Sequence, residues 1–276
     1  MRTIIWLLYL IFFLLITIPV LIWMKLLDAM GKSERRQHIV DKWVPLWAKS
    51  LCWLAGAKVT VSGLENLPTG GYLLMSNHQS YFDIPVLLAA TGIPFGFVAK
   101  SSVHYIPIIG SWMRRIHCVS INRDDPRGAM ATLLDSCVSQ LHAGHPVCIF
   151  PEGTRSAGGE IKPFKKGGFV TAEHAKAPII PVVIEGTYGL WETSPTGIHP
   201  ADVMVTFLPA VCPAEMEEQE RATLPLTLRK TMVAHRARLR AQLLQKAIKE
   251  QNPQSPNNPQ EPWRTTHAGN LDGDNH

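Results

Sequence analysis

Residues 3 to 24 read "TIIWLLYLIFFLLITIPVLIWM" and carry no charge. As a helix, such a run is long enough to cross the ~30 Å hydrocarbon core of a bilayer. No polar stripe marks a solvent face, which disfavours the buried helix of a soluble core. A cleaved signal peptide would have a shorter apolar region and a small-residue cleavage site, and the run has neither. The positive groups before it are only Arg2 and the amino terminus, whereas Lys25, Lys32, Arg35, Arg36 and Lys42 follow it. By the positive-inside rule the bulk of the chain is expected on the cytoplasmic side, at an inner membrane. Crossing the bilayer and dipping into one leaflet are both compatible with this pattern. Trp43, Trp47 and Trp53, interleaved with Lys42 and Lys49, have the pattern of a second helix lying at the interface. Residues 1–54 are therefore expected to form a membrane-anchoring helical segment.

After residue 55 the pattern changes to short runs rich in Val, Ile and Phe: 58–64, 71–77, 95–100, 117–123, 146–153, 179–186 and 203–209. Those from 146 and 179 are continuously apolar, as strands covered on both faces are. Helix-like stretches lie between them at 84–91, 128–142 and 169–177. The alternation predicts an α/β fold, a mainly parallel central sheet flanked by helices, over residues 55–250. Glu215–Arg221 is acidic and opens a helical region. From Arg229 to Lys249 the charged residues are all basic, which fits either a solvated helix face or docking on anionic lipid. Residues 251–276 are rich in Pro, Asn and Gln and are expected to be a disordered tail.

The formal charge of +5 suits anionic partners without choosing among them. The five cysteines, Cys52, Cys118, Cys137, Cys148 and Cys212, contain no CxxC pair and read as reduced thiols, with no zinc site and no disulfide frame. GxSxG, Walker A, GxGxxG and HExxH motifs are absent, which weighs against a serine hydrolase, an NTPase and a zincin.

Two clusters can carry chemistry. In "SNHQSYFDIP" (76–85), His78 follows a strand at the edge where α/β folds place their sites. Asp83 stands five positions on, about 500° around a regular helix, so the two meet only if His78 is in a loop and Asp83 begins the helix. Asp83 then suits an N-cap, with Pro85 in the first turn. Its carboxylate can also accept Nδ1–H of His78 and leave Nε2 as a base. Taken alone, the pair is equally a loop histidine beside a capping aspartate. In "FPEGTRS" (150–156), Glu152, Gly153, Thr154 and Arg155 follow a buried strand. Gly153 allows a tight turn, and the planar fork of Arg155 matches a phosphate. "KPFKKGG" adds Lys162, Lys165 and Lys166; an ordinary basic loop has the same composition. Lys100 and Arg123, at the ends of two other runs, are further candidates.

Together these blocks resemble the glycerolipid acyltransferases. "NHQSYFD" matches their HxxxxD signature and "FPEGTRS" their phosphate-binding block. "AKSSVHYIPIIGSWMRRIHCVSINR" and "IIPVVIEG" are similar to their intermediate and last blocks. The resemblance covers roughly residues 55 to 210, and its proline-bearing third block looks most like the bacterial-type 1-acylglycerol-3-phosphate acyltransferase branch. It implies acyl transfer from acyl-CoA or acyl carrier protein to the sn-2 hydroxyl of lysophosphatidic acid, giving phosphatidic acid at a membrane. His78 and Asp83 would be catalytic. Arg155, Lys100, Gly153 and Thr154 would bind the substrate phosphate, and Glu152 and Arg123 would shape the loop or contact the acceptor. No cofactor, metal or nucleic acid is implied. Glycerol-3-phosphate or another lysolipid as acceptor, a membrane-tethered thioester hydrolase, and a module that only binds lipid are the alternatives.

Overall fold

The computed structural model describes residues 1–122, 124–194 and 197–251; Arg123 and the tail expected beyond Gln251 lie outside them. Two long helices open the chain, α1 (Arg2–Ala29) and α2 (Ser33–Ala55). They form a hairpin through Gly31, whose φ of +68° is in the left-handed region. The α/β part follows as β1 (Ala57–Ser62), β2 (Leu73–Ser76), α3 (Asp83–Thr91), β3 (Gly96–Lys100), α4 (Ser101–His104), α5 (Pro107–Arg115) and β4 (Val119–Ile121). It continues with α6 (Pro126–Thr132), a π-helical turn, α7 (Val138–His142), β5 (Val147–Ile149), α8 (Gly167–Ala175), β6 (Ile179–Glu185), β7 (Ala201–Phe207) and α9 (Glu218–Gln251). Each of the seven apolar runs overlaps a strand. The short helices α4 and α5 were not anticipated from residue patterns.

The strands form one sheet in the order β1-β7-β6-β2-β5-β3-β4, parallel except for the β6–β7 pair. Alternation along the central strands divides the core into two layers. Leu74, Cys148, Ile180, Val182 and Ile184 face α1, α2 and α3. Leu73, Met75, Val147, Ile179 and Val183 face α7, α8 and α9. Because β2, β5 and β6 are mutually parallel and central, their carboxyl ends emerge side by side, and the segments holding His78 and Glu152 leave the sheet at this edge.

Among the described residues, α1 is the one helix long and apolar enough to cross a membrane. One stripe of it is buried against the protein: Trp6, Phe13, Thr17, Leu21, Met24 and Leu27, at the spacing of a single helix face. Polar bonds hold it at three heights. Nη1 of Arg2 donates to the Ala55 carbonyl at 3.4 Å, Nε1 of Trp6 to the Leu51 carbonyl at 3.1 Å, and Nε1 of Trp112 to Oγ1 of Thr17 at 3.3 Å. The opposite face, including Ile4, Leu8, Ile11, Phe12, Leu15 and Ile22, is exposed.

The basic residues of α9 divide. Arg236 is buried and pairs with Glu185 at the end of β6, where Arg240 joins it at 3.1 Å. Arg229 donates to the carbonyl of Ile161 at 2.9 Å, and Lys246 pairs with Asp202. These four serve internal contacts. Lys230, Arg238 and Lys249 are exposed.

Candidate active site

The edge is built by side chains that replace backbone pairing where β2 ends. Asn77 forms a two-point match with Ile184, accepting from its N–H at 2.8 Å and donating to its carbonyl at 3.0 Å. Gln79 Nε2 donates to the same carbonyl at 2.6 Å. The segment preceding α3 is thus tied to β6 without belonging to the sheet.

Within that frame His78 is held at three points. Its N–H donates to Oε1 of Glu152 at 2.7 Å, and its carbonyl accepts from the Ser156 N–H at 2.7 Å. Its ring stacks on Phe150, with centroids 4.0 Å apart. Nδ1 lies 2.7 Å from Oδ2 of Asp83. Asp83 is the first residue of α3 and is fully buried. The expected N-cap role does not hold, because Phe82 occupies that position and no side chain caps the helix. The carboxylate turns back instead, and Oδ2 accepts from the N–H groups of Gln79 at 2.7 Å and Ser80 at 3.0 Å. Its negative charge sits at the positive end of the helix dipole. Oδ1 accepts from Oγ1 of Thr187 at 2.5 Å.

Glu152 is buried and joins three segments. Besides the His78 N–H it accepts the Lys162 N–H at 2.8 Å. Burial raises its pKa, against these two hydrogen bonds and the nearby His78 and Arg236, which lower it. A carboxylate occupied by two backbone donors is a strut between loops. Gly153 has φ +71°, and a Cβ there would lie 2.8 Å from the end of the Lys165 side chain. This is the glycine that the tight turn after β5 requires.

Arg155 lies over the ring of Tyr81, 3.5 Å from its centroid, with Nη1 3.6 Å from Oε1 of Glu192. The latter separation is an ion pair beyond hydrogen-bond length. Glu192 also accepts from Oγ of Ser80 at 2.8 Å and from the Tyr81 N–H at 3.0 Å. His78, Arg155 and Lys100 all line one cavity of about 600 Å³. The rest of its wall is mainly apolar, with Trp6, Phe13, Trp43, Trp47, Phe97 and Trp112 among its residues. It runs between the α1–α2 hairpin and the elements α3, β3 and α5. Thr154 is exposed and outside that wall. Thus His78, Asp83, Arg155 and Lys100 converge on one cavity and its immediate support, with Glu152 and Gly153 beneath. Asn77, Thr187 and Glu192 were missed. Asn77 adjoins the histidine, but no local pattern distinguishes Thr187 or Glu192.

The family model described as Acyltransferase matches residues 58–185. The chloroplastic 1-acyl-sn-glycerol-3-phosphate acyltransferase of Brassica napus is 38% identical over 163 residues, covering 58% of this chain and 46% of that one. The 1-acyl-sn-glycerol-3-phosphate acyltransferase of Helicobacter pylori is 31% identical over 163 residues, 59% of this chain and 68% of that one. The chain spans about half the length of the plant relatives that it matches. The crystal structure of the 1-acyl-sn-glycerophosphate (LPA) acyltransferase PlsC from Thermotoga maritima superposes with a TM-score of 0.69 at 26% identity, over 87% of this chain and 98% of that one. With the fold, the parallel-sheet edge and these matches in agreement, the chain belongs to the acyltransferase family that includes the 1-acyl-sn-glycerol-3-phosphate acyltransferases.

Proposed function

We propose that the protein transfers a fatty acyl group from an acyl thioester, acyl-CoA or acyl carrier protein, to the sn-2 hydroxyl of 1-acylglycerol-3-phosphate, giving phosphatidic acid. The observation that carries this reading is the placement of His78, with Nδ1 held by Asp83, on an apolar cavity that Arg155 and Lys100 also line. With Nδ1 committed, Nε2 is the nitrogen available as a base. It takes the proton from the acceptor hydroxyl as the oxygen attacks the thioester carbonyl. The thiolate then leaves and takes up a proton. Asp83 stabilises the imidazolium that forms between these events. Arg155 and Lys100 hold the acceptor phosphate, with Gly153 shaping the turn, and the apolar wall takes up acyl chain. Glu152 holds the His78 loop to the 150–162 loop.

The hairpin supplies the membrane attachment. A stripe of α1 from Trp6 to Leu27 is buried on protein while its other face is apolar and exposed. A helix docked along most of its length is suited to lying in one leaflet, with the α/β part at the cytoplasmic surface. Arg35, His38, Lys42 and Lys49 on α2 are exposed as well, where anionic headgroups are available to them.

An acceptor panel tests the reading. Purified protein is given labelled acyl-CoA or acyl carrier protein with lysophosphatidate, glycerol-3-phosphate, other lysolipids or monoacylglycerol, and products are identified by mass spectrometry. Phosphatidate should dominate. Arg155→Ala should lower kcat/KM for lysophosphatidate roughly 10- to 150-fold, the worth of a charge-assisted hydrogen bond, and hardly affect monoacylglycerol. Equal losses on both acceptors would remove the phosphate role from Arg155.

A further inference from the structure

A carboxylate cut off from water is tolerable only if its lone pairs find donors in the protein. Asp83 is fully buried, and three of its donors, Nδ1 of His78 and the N–H groups of Gln79 and Ser80, converge on Oδ2. Oδ1 receives Oγ1 of Thr187, which is itself fully buried. Thr187 stands two residues beyond the span matched by the family model and is not part of the cavity wall. The chain makes a constrained turn to deliver it. Gly186 sits at φ +100°, and a Cβ there would come within 2.2 Å of the Asp202 carbonyl oxygen. This left-handed step, open to glycine, ends β6 and brings Thr187 to an aspartate 104 positions earlier.

We propose that Thr187 is a positioning residue for the His78–Asp83 pair, an inference that rests on reading this pair as the general-base device. By holding Oδ1 it fixes rotation of the carboxylate, so that Oδ2 stays in line with Nδ1 of His78. Without that donor the carboxylate turns more freely. Oδ2 then leaves the line of Nδ1, and the imidazole is less often held in the orientation that presents Nε2.

The test compares Thr187→Val, which keeps the shape and removes the donor, with Thr187→Ser, which keeps the donor. Full-length enzyme is assayed with acyl-CoA and lysophosphatidate for kcat and KM. Thr187→Val should lower kcat roughly 10- to 100-fold, the worth of a hydrogen bond to a charged group. Both KM values should stay within about twofold, because Thr187 does not line the cavity. Thr187→Ser should restore kcat. Wild-type kcat in Thr187→Val, or equal impairment in Thr187→Ser, would overturn the proposal. Should Thr187→Val fail to fold, Thr187→Cys, a much weaker donor, takes its place with the same two outcomes. His78→Ala separates the levels. If it retains turnover the pair itself is not the base, whereas an inactive His78→Ala beside an unaffected Thr187→Val removes only the role of Thr187.

Discussion

The carboxyl edge of the sheet and the α1–α2 hairpin meet at the same cavity, yet they are held by different forces. At the edge, directional bonds link residues far apart in sequence: His78 to Glu152 over 74 positions, Asp83 to Thr187 over 104, and Asn77 to Ile184 over 107. The hairpin is held mainly by shape. Trp6 packs on Phe82 and Trp191 at centroid distances of 5.4 and 5.6 Å, and Phe13 packs on Trp43 at 5.8 Å. Hydrogen bonds constrain angle, whereas apolar packing constrains volume. The edge should therefore be intolerant of isosteric changes in polarity, and the hairpin of changes in size.

The largest expected effect lies at the edge. His78→Ala should lower turnover by roughly 10² to 10⁴, the usual loss of a general base, and by the same factor for every acyl length. Folding is checked by circular dichroism. Near-wild-type turnover in the folded variant would break the distinction, because the edge would then be only structural.

A smaller and selective effect is expected on the hairpin. Leu14 lines the cavity from α1. Leu14→Trp should cost the longest acyl substrates roughly tenfold in kcat/KM, the lower range for an apolar pocket that is one methylene too small. Short-chain substrates and the pH profile should be unaffected. If short and long chains lose alike, the hairpin also governs the geometry of the edge.

The smallest effect concerns a polar patch where the hairpin meets the sheet. Arg36 and Arg115 approach Asp28 at 3.2 and 3.8 Å, and His117 stacks on His145 with centroids 3.7 Å apart. Burial, then His145 and Arg36, hold the pKa of His117 down to about 4, against 6.5 ordinarily. The unfolded chain takes up this proton near its ordinary pKa and the folded chain only near 4. Stability from this source is thus present above 6.5 and is lost as pH falls from 6.5 towards 4. His117 has φ +61°, a conformation that asparagine tolerates. His117→Asn should reduce the fall in Tm between pH 7 and pH 5 by roughly 2–4 °C, allowing for solvent screening at this partly exposed site. An unchanged fall in thermal unfolding would show that the patch does not couple the hairpin to pH.

Much of the architecture was legible because its signals are local. Continuous apolar runs became strands buried on both faces, as in Ile179–Glu185, and alternation with helices implied the parallel sheet. The candidate site was legible in outline for the same reason: His78 follows one apolar run, Asp83 opens the next helix, and Glu152 and Arg155 stand at the end of another run. Helices α4 and α5 were not, because "SSVHYIPIIGSWMRR" is too short and too broken by Pro107 and Gly110 to show a clear period. The basic stretch of α9 was read as facing water or lipid, since charge alone carries no direction. Its Arg229, Arg236, Arg240 and Lys246 instead bind carbonyls and carboxylates of the sheet domain.

Sequence by itself determined which segments are strands, that residues 3 to 24 are apolar throughout, and that a histidine and an aspartate flank the turn into a helix. These follow from hydrophobic period and from geometry over five or six residues, where neighbours along the chain are neighbours in space. Tertiary structure alone decided the strand order, the reversal of β7 against β6, the backward turn of the Asp83 carboxylate, and the arrival of Glu152, Thr187 and Glu192 around one loop. Those contacts exist because a parallel sheet brings the ends of distant strands to one edge, and a hydrogen bond formed there leaves no periodic trace in the chain that supplies it.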